Sequence, residues 1–583
     1  MGSIVNGTNG VSPRQRKYWQ DATVYQIYPA SFKDSNGDGM GDLQGIISKL
    51  DYIKELGVDV IWICPMYDSP QVDMGYDISD YESVYPPYGT VHDMEELIQG
   101  AHKRGMKIIL DLVINHTSDQ HAWFKESRSS KESEKRDWYI WRPAKYDADG
   151  NRRPPNNWRS EFGGSAWEWD EGSQEYYLHL FEAQQPDLNF ENEEARKAIY
   201  ASAIEFWLER GVDGFRIDTV NMYSKHQEFV DAPIKDETSF FQKAADYYCN
   251  GPRMHDYLSE IYAILEKYDA FTVGELPHTP DPAHILRYVS AAAKQLNMVF
   301  QFDVVNVGLG PRYKYDSKPY NWALPEFKEA LSSTQVLIDD NDGWTTAFLE
   351  NHDQPRSITR FVTDKPEFRV QAGKMLAVML SAFSGTLYLY QGQEIGMVNI
   401  PKDWPIEEYK DIDALKYYEF VRERTNGDQA ELDAALESLN YFGRDNARTP
   451  MQWDDSPHGG FTSGKKPWMR VNDSYREINV AQQQKDDNST LAFWKKMLKL
   501  RKENNDVFIH GNYKIHDVEN PSTYIFTKSH NGQQVLVLLN FTEKEQEYSV
   551  PSEVDGKLEM LVSSADSTEG PLKPYEGRLY LVS

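Results

Sequence analysis

The 583-residue chain predicts an α/β protein: eight parallel strands closed into a (β/α)8 TIM barrel, a subdomain inserted after strand three, and a C-terminal antiparallel β-sandwich. Three observations carry that expectation. A phrase of amphipathic helix, glycine and continuous apolar strand recurs along the chain. The phrase breaks between His116 and about Pro186, and near the C-terminus the hydrophobic period changes to two.

The elements follow in order. After a first strand in "VYQIYP", the stretch "DLQGIISKLDYIKELG" sets Leu43, Ile46, Ile47, Leu50 and Ile53 at helical spacing. Gly57 then suits a left-handed helix cap before "VDVIWICP". "DMEELIQGAHKRG" leads through Gly105 into "MKIILDLVINH", and "EEARKAIYASAIEFWLERG" leads through Gly211 into "VDGFRIDTV". "FTVGE", "VFQFDVV", "TAFLENHD" and "GTLYLYQGQE" complete eight strands, the count of a closed barrel. Their unbroken Val, Ile and Leu runs mark parallel strands covered on both faces. Residues 117–186, with "KESRSSKESEKR", "RRPPNNWRS" and "FGGSAWEWD", are too long for a loop and too aromatic for a linker. The barrel is therefore expected over 1–116 and 187–514, the insertion over 117–186, and the β domain over 515–583. "NSTLAFWKKMLKLRKEN" reads as the last long helix. Asn531-Gly532 joins two alternating strands as a hairpin.

A formal charge of −29 and a pI near 4.9 repel phosphate backbones and anionic membranes, so neither nucleic acid nor membrane is an expected partner. No apolar run reaches the roughly 18 residues of a membrane span. The first residues lack an apolar signal core, and Asn6 stands where a myristoylation motif needs Ser or Thr. Cys64 lies in an apolar run, and two cysteines make no disulfide framework. The expectation is a cytoplasmic monomer whose sequons at Asn488 and Asn540 go unused.

Active sites of such barrels lie at the carboxyl ends of the strands. The polar residues there are Asp111, Asn115 and His116 on the third; Arg216 and Asp218 on the fourth; Glu275 on the fifth; and Glu350, Asn351, His352 and Asp353 on the seventh. A single acid at a strand end most often caps the next helix. Three converging acids flanked by Arg, His and aromatics suggest a glycosidase, in which one carboxylate attacks and another carboxyl protonates the leaving group. Arg216, two residues from Asp218 on the same strand face, would keep Asp218 ionised as a nucleophile. Glu275 has no adjacent cation in sequence, which suits an acid/base. No Gly-rich phosphate loop or Ser–His–Asp set competes.

"DLVINH" (111–116), "GFRIDTVNM" (214–222), "FTVGE" (271–275) and "FLENHD" (348–353) resemble, in order and spacing, the four signature regions of the α-amylase family, glycoside hydrolase family 13. "QPDLN" (185–189) is similar to the fifth region of its oligo-1,6-glucosidase and α-glucosidase subfamily. "PQVDMGYDISDY" and "GRDNARTPMQWDD" strengthen that likeness. The resemblance implies an exo-acting, retaining α-glucosidase taking small α-glucosides, with Asp218 as nucleophile, Glu275 as acid/base and Asp353 as third acid. It implies that Tyr76, His116, Phe181, Arg216, Thr219 and His352 line the glucose pocket. Asp77 and Arg444 would close that pocket. Threonine at 219 goes with α-1,4 substrates, whereas valine there goes with α-1,6. Val220 and Asn221 depart from the maltase pattern and leave mixed specificity open. Isomaltase and transglycosylase activities remain alternatives, as does, more remotely, a non-catalytic relative.

"DSNGDGMGDL" spaces Asp34, Asn36, Asp38, Met40 and Asp42 like a calcium loop, but Gly45 stands where a bidentate glutamate would complete one. The alternative is a glycine-rich turn in which Asp42 caps the next helix. The resemblance implies that the loop holds structural Ca2+.

Overall fold

The computed structural model describes residues 16–310, 314–316, 322–565 and 567–583; Asn6 and its neighbours lie outside them. Eight parallel strands form the barrel: β1 (Thr23–Ile27), β2 (Val60–Ile63), β3 (Lys107–Leu112), β4 (Gly214–Ile217), β5 (Phe271–Glu275), β6 (Met298–Phe300), β7 (Thr346–Ala347) and β8 (Thr386–Tyr390). Backbone ladders run in the order β6-β5-β4-β3-β2-β1-β8-β7. Side chains span the remaining seam: Thr346 Oγ1 donates to the Val299 carbonyl and Thr345 Oγ1 to Gln301 Oε1, both at 3.0 Å. Of the expected strand "VFQFDVV", only the first part is strand. Asp303–Asn306 already turns into helix.

The helix–glycine–strand phrase has a local cause. The helix Leu50–Leu56 ends at Gly57, whose φ of 107° is open to glycine and strained for other residues. The chain thereby reverses at once into β2.

Between β3 and β4 lies the three-stranded sheet of Trp141–Arg142, Glu175–Leu178 and Trp167–Asp170. Its core is shared with the long connection after β4. Trp158, Trp167 and Leu178 pack with Phe229, Ala232 and Tyr248, and Trp158 Nε1 donates to the Val230 carbonyl at 2.9 Å. The insertion is thus a joint structure of two segments, whereas the sequence suggested one. A second excursion follows β8, where the helices Ile412–Arg424 and Gln429–Phe442 pack around Trp404, Tyr409 and Tyr315.

The helix Thr490–Glu503 leads to a five-stranded antiparallel sheet whose first strand, Asn512–Ile515, starts slightly before residue 515. Asn531 and Gly532 both have positive φ, as a tight hairpin needs. One sheet face packs on the barrel helices. The other carries Ile525, Leu536 and Leu538, covered by Tyr548, Val554 and Leu572 from irregular chain rather than a second sheet. Asn540 is buried, its amide donating to the carbonyls of Lys544 and Lys573. Cys64 and Cys249 are buried free thiols. Among the described residues no helix is long and apolar enough to cross a membrane.

Candidate active site

Parallel register puts Arg216 of β4 beside Asp111 of β3. The buried guanidinium then meets three acids: Asp111 Oδ1 at 2.8 Å, Asp218 Oδ1 at 2.6 Å and Glu275 Oε2 at 2.9 Å. One cation cannot support three ionised carboxylates in a dry site. Burial pushes all three up, Asp218 and Asp111 to about 6 and Glu275 to about 8; Arg216 opposes the rise at each, while the neighbouring Asp218 and Asp353 charges add to it at Glu275. At neutral pH Asp218 is a carboxylate and Glu275 a carboxylic acid hydrogen-bonded to it. Glu275 thus has a cation at hand after all, one that sequence adjacency did not reveal.

Thr219 follows with a φ of 39°, uncommon for a β-branched residue. The strain is held by its N–H, which donates to Glu275 Oε2 at 3.2 Å, and by its hydroxyl, which faces Asp218 Oδ2 at 3.3 Å. Thr219 therefore sits between the two acids.

At the end of β7, Asp353 faces Arg448 at 2.9 Å, Arg444 at 3.3 Å and His352 Nε2 at 3.2 Å. Burial opposes its ionisation, but the facing charges of Arg444 and Arg448 outweigh it and hold Asp353 well below the usual carboxylate range. His352 is pushed down to about 3 by burial and is neutral. Gln26 Nε2 donates to its Nδ1 at 2.8 Å, which puts the ring hydrogen on Nε2. That Nε2 faces Tyr76 Oη at 2.6 Å, and Tyr76 in turn donates to Asp111 Oδ2 at 3.0 Å. A continuous hydrogen-bonded chain therefore links β1, β7 and β3 to Arg216. The Tyr76 ring lies flat on His352, with centroids 5.2 Å apart. His116 is neutral through burial, and its Nε2 donates to the Tyr76 carbonyl at 3.0 Å.

The expected partner of Arg444 needs correction. Asp77 does not reach the pocket. It is wholly buried beneath the turn, accepting from the N–H groups of Val72 and Asp73 at 2.9 and 3.0 Å and from the Ser69 hydroxyl at 3.1 Å. The turn it braces presents Asp73, whose Oδ1 meets Arg444 Nη2 at 3.0 Å. Both acids occur in "QVDMGYD", and a side chain four residues from its target cannot be assigned by motif alone. Sequence reasoning also missed Arg448, one helical turn after Arg444, and Asp411. The buried Asp411 carboxylate meets Arg444 at 2.6 Å and Arg448 at 3.3 Å. Arg448 could have been found from its spacing; nothing in the sequence pointed to Asp411. Glu350 is also no pocket residue: it is buried against Arg356 and accepts from the Ser357 N–H.

These groups floor a cavity of about 750 Å³, typical of a small-ligand site. Asp73, Tyr76, His116, Phe181, Asp218, Thr219, Glu275, Asp353 and Arg444 all line it. The buried floor is closed by the Asp73–Arg444 pair. The mouth opens between the insertion, with Glu161 and Phe162, and the helix Ile412–Arg424, with Tyr417 and Phe420. Lys416 of that helix meets Glu182 of the insertion at 2.5 Å and ties the two rims together. A site closed at one end accepts a chain terminus.

The loop Asp34–Asp42 lies elsewhere, after β1. Its donors are all oxygen, which suits a hard cation. Asp34 Oδ1 accepts from Asn36 and Gly37 N–H, and its Oδ2 from Gly39 N–H and the Thr462 hydroxyl. Asp42 Oδ1 caps the next helix at the Gly45 N–H, 2.6 Å away, and Oδ2 accepts from Ser35 N–H at 2.9 Å. Among the described residues no three His, Cys, Asp or Glu side chains gather as metal ligands. As arranged, the loop is closed on its own backbone, and the capping role weighed for Asp42 is present.

Two carboxylates and one carboxylic acid gathered at the carboxyl ends of barrel strands, in a one-ended cavity, define a glycoside hydrolase. Residues 26–511 match the model of the α-amylase catalytic domain, and the chain belongs to the α-amylase family. It is 51% identical to an α-glucosidase of Candida albicans over 97% of this chain and 100% of that one. It is 48% identical to an oligo-1,6-glucosidase of Saccharomyces cerevisiae over 97% of this chain and 98% of that one. Among solved structures, the trehalose-6-phosphate hydrolase of Bacillus licheniformis superposes with a TM-score of 0.88 at 41% identity, covering 97% and 100% of the two chains.

Proposed function

We propose that the protein is a retaining, exo-acting α-glucosidase that releases terminal glucose from maltose and short α-1,4 malto-oligosaccharides, with sucrose and α-1,6 links as further substrates. The observation that carries this reading is the sharing of Arg216 by Asp218 and Glu275 at 2.6 and 2.9 Å, above a floor sealed by Asp73 and Arg444. The terminal glucose enters first and its hydroxyls meet Asp353, His116, Asp73 and Arg444; His352, expected there from the sequence, is wholly buried behind Tyr76 and acts by positioning it. The Asp218 carboxylate attacks the anomeric carbon while the Glu275 carboxylic acid gives its proton to the leaving glycosidic oxygen. The product is a β-glucosyl ester of Asp218 and a free sugar. Glu275, now a carboxylate, takes a proton from water as that water attacks the anomeric carbon and releases Asp218. Two inversions return α-glucose. Tyr76 and Arg216 act by positioning: both hold Asp111, and Arg216 also fixes the nucleophile. NMR of the first product tests this. α-Glucose is expected, and β-glucose would overturn the covalent mechanism.

Thr219, wedged between the acids, supports preference for α-1,4 links. Initial rates on maltose, isomaltose, sucrose and maltotriose test that preference. Thr219→Val is expected to move the maltose-to-isomaltose ratio toward isomaltose by roughly tenfold or more, the scale of a one-group change in a sugar site.

We also propose a monomer, which light scattering tests, acting in the cytosol, an address that the two buried free thiols support and fractionation tests. Ca2+ is proposed as a structural ion for Asp34, Asn36, Asp38, Asp42 and the Met40 carbonyl. The all-oxygen donor set supports it, and the oxygens of Asn36, Asp38 and Asp42 that accept an N–H each keep a second lone pair, although both oxygens of Asp34 already accept twice. A chelator is expected to lower the melting temperature, and Ca2+ to restore it. No shift in either direction would count against the ion.

A further inference from the structure

The connection after β4 brings two adjacent phenylalanines to the mouth of the cavity. Phe241 lines it, and Phe240 stands 57% exposed beside it, the rings meeting edge to face with centroids 5.1 Å apart. The turn that carries them is rigidly built. It winds around buried Gln242, whose Oε1 accepts from the N–H groups of Lys235 and Asp236 at 2.9 Å and whose Nε2 donates to the carbonyls of Asp236 and Ser239 at 2.8 and 2.6 Å. The Gln242 backbone is bound to the insertion, donating to Asn157 at 2.7 Å and accepting from Arg159 at 2.9 Å. On the same wall, Glu161 Oε1 accepts from Tyr248 at 2.5 Å and meets His278 Nε2 at 3.2 Å. His278 lies three residues after Glu275 and holds a strained φ of 54°.

A pyranose has a flat C–H face and a polar edge. An aromatic face suits the first, and fixed polar groups suit the second. This wall supplies both, continuous with the cavity that begins at the catalytic acids. We propose that Phe240 and Phe241 form a ledge for glucose units beyond the two joined by the scissile bond, so that substrate chain length is read there. The proposal rests on the α-glucosidase reading above.

The test compares kcat/KM for maltose, maltotriose, maltotetraose and 4-nitrophenyl α-glucoside in the wild type, Phe240→Ala and Phe240→Trp. Phe240→Ala is expected to lower the maltotetraose-to-maltose ratio about fivefold, one aromatic contact's worth, and Phe240→Trp to keep it. An unchanged ratio overturns the ledge. So does a loss confined to the nitrophenyl substrate, which would make it a site for apolar aglycones. Phe240 is exposed, so its replacement does not endanger folding. A wild type inactive on every α-glucoside would defeat the α-glucosidase reading itself, and the ledge with it.

Discussion

At the scale of residues, the chemistry turns on one arginine facing too many acids. Arg216 serves Asp111, Asp218 and Glu275 together, and the cost of burial falls mainly on Glu275. This predicts a bell-shaped pH profile. kcat/KM should rise as the nucleophile ionises near pH 6 and fall as the acid/base loses its proton near pH 8. Both limbs belong to the interacting pair. Glu275→Gln should abolish the alkaline limb on substrates whose leaving group needs no proton, and rate measurements on 4-nitrophenyl α-glucoside from pH 5 to 9 check this.

At the scale of elements, the turn Ser69–Asp77 separates two acids by role. Asp77 braces the turn and Asp73 faces Arg444. Asp73→Ala should cut kcat/KM on maltose by about a hundredfold with little change in melting temperature, as expected for loss of a charged contact to substrate. Asp77→Ala should lower the melting temperature, since it strands three donors. If the two variants changed the same property, this division would be wrong. The pair also shows what the sequence could and could not disclose. Strands and their preceding helices were legible because apolar period and cap glycines are local signals, and strand-end polar residues then located Asp218, Glu275 and Asp353. Asp73 was hidden because its motif holds two candidate acids. Asp411 was hidden because no period or motif surrounds it. The shared core of Trp158 and Phe229 was hidden because the two belong to different connections of the barrel.

At the scale of the whole molecule, the site is a burden on stability. Glu275 binds its proton up to about pH 8 in the fold, whereas an unfolded glutamate releases it near 4.3. Between those values the native state holds the extra proton, so stability falls as pH rises across the window. Asp218, raised to about 6, adds to the fall over the lower part of it. Glu275→Gln removes the larger contribution. Its melting temperature should match the wild type near pH 4.5 and exceed it increasingly toward pH 8, with calorimetry as the check; a constant difference across that range would refute the linkage.

Asp73 and Arg444, which seal the pocket floor, stand 371 positions apart. A ribosome that has made the fifth strand has already supplied both reacting acids, yet the wall that stops the glucose cannot form until the chain has passed residue 444. Synthesis at roughly 5–20 residues per second leaves that gap open for several seconds or more. In order of synthesis, the reacting acids therefore come well before the residue that lets the pocket recognise a chain end.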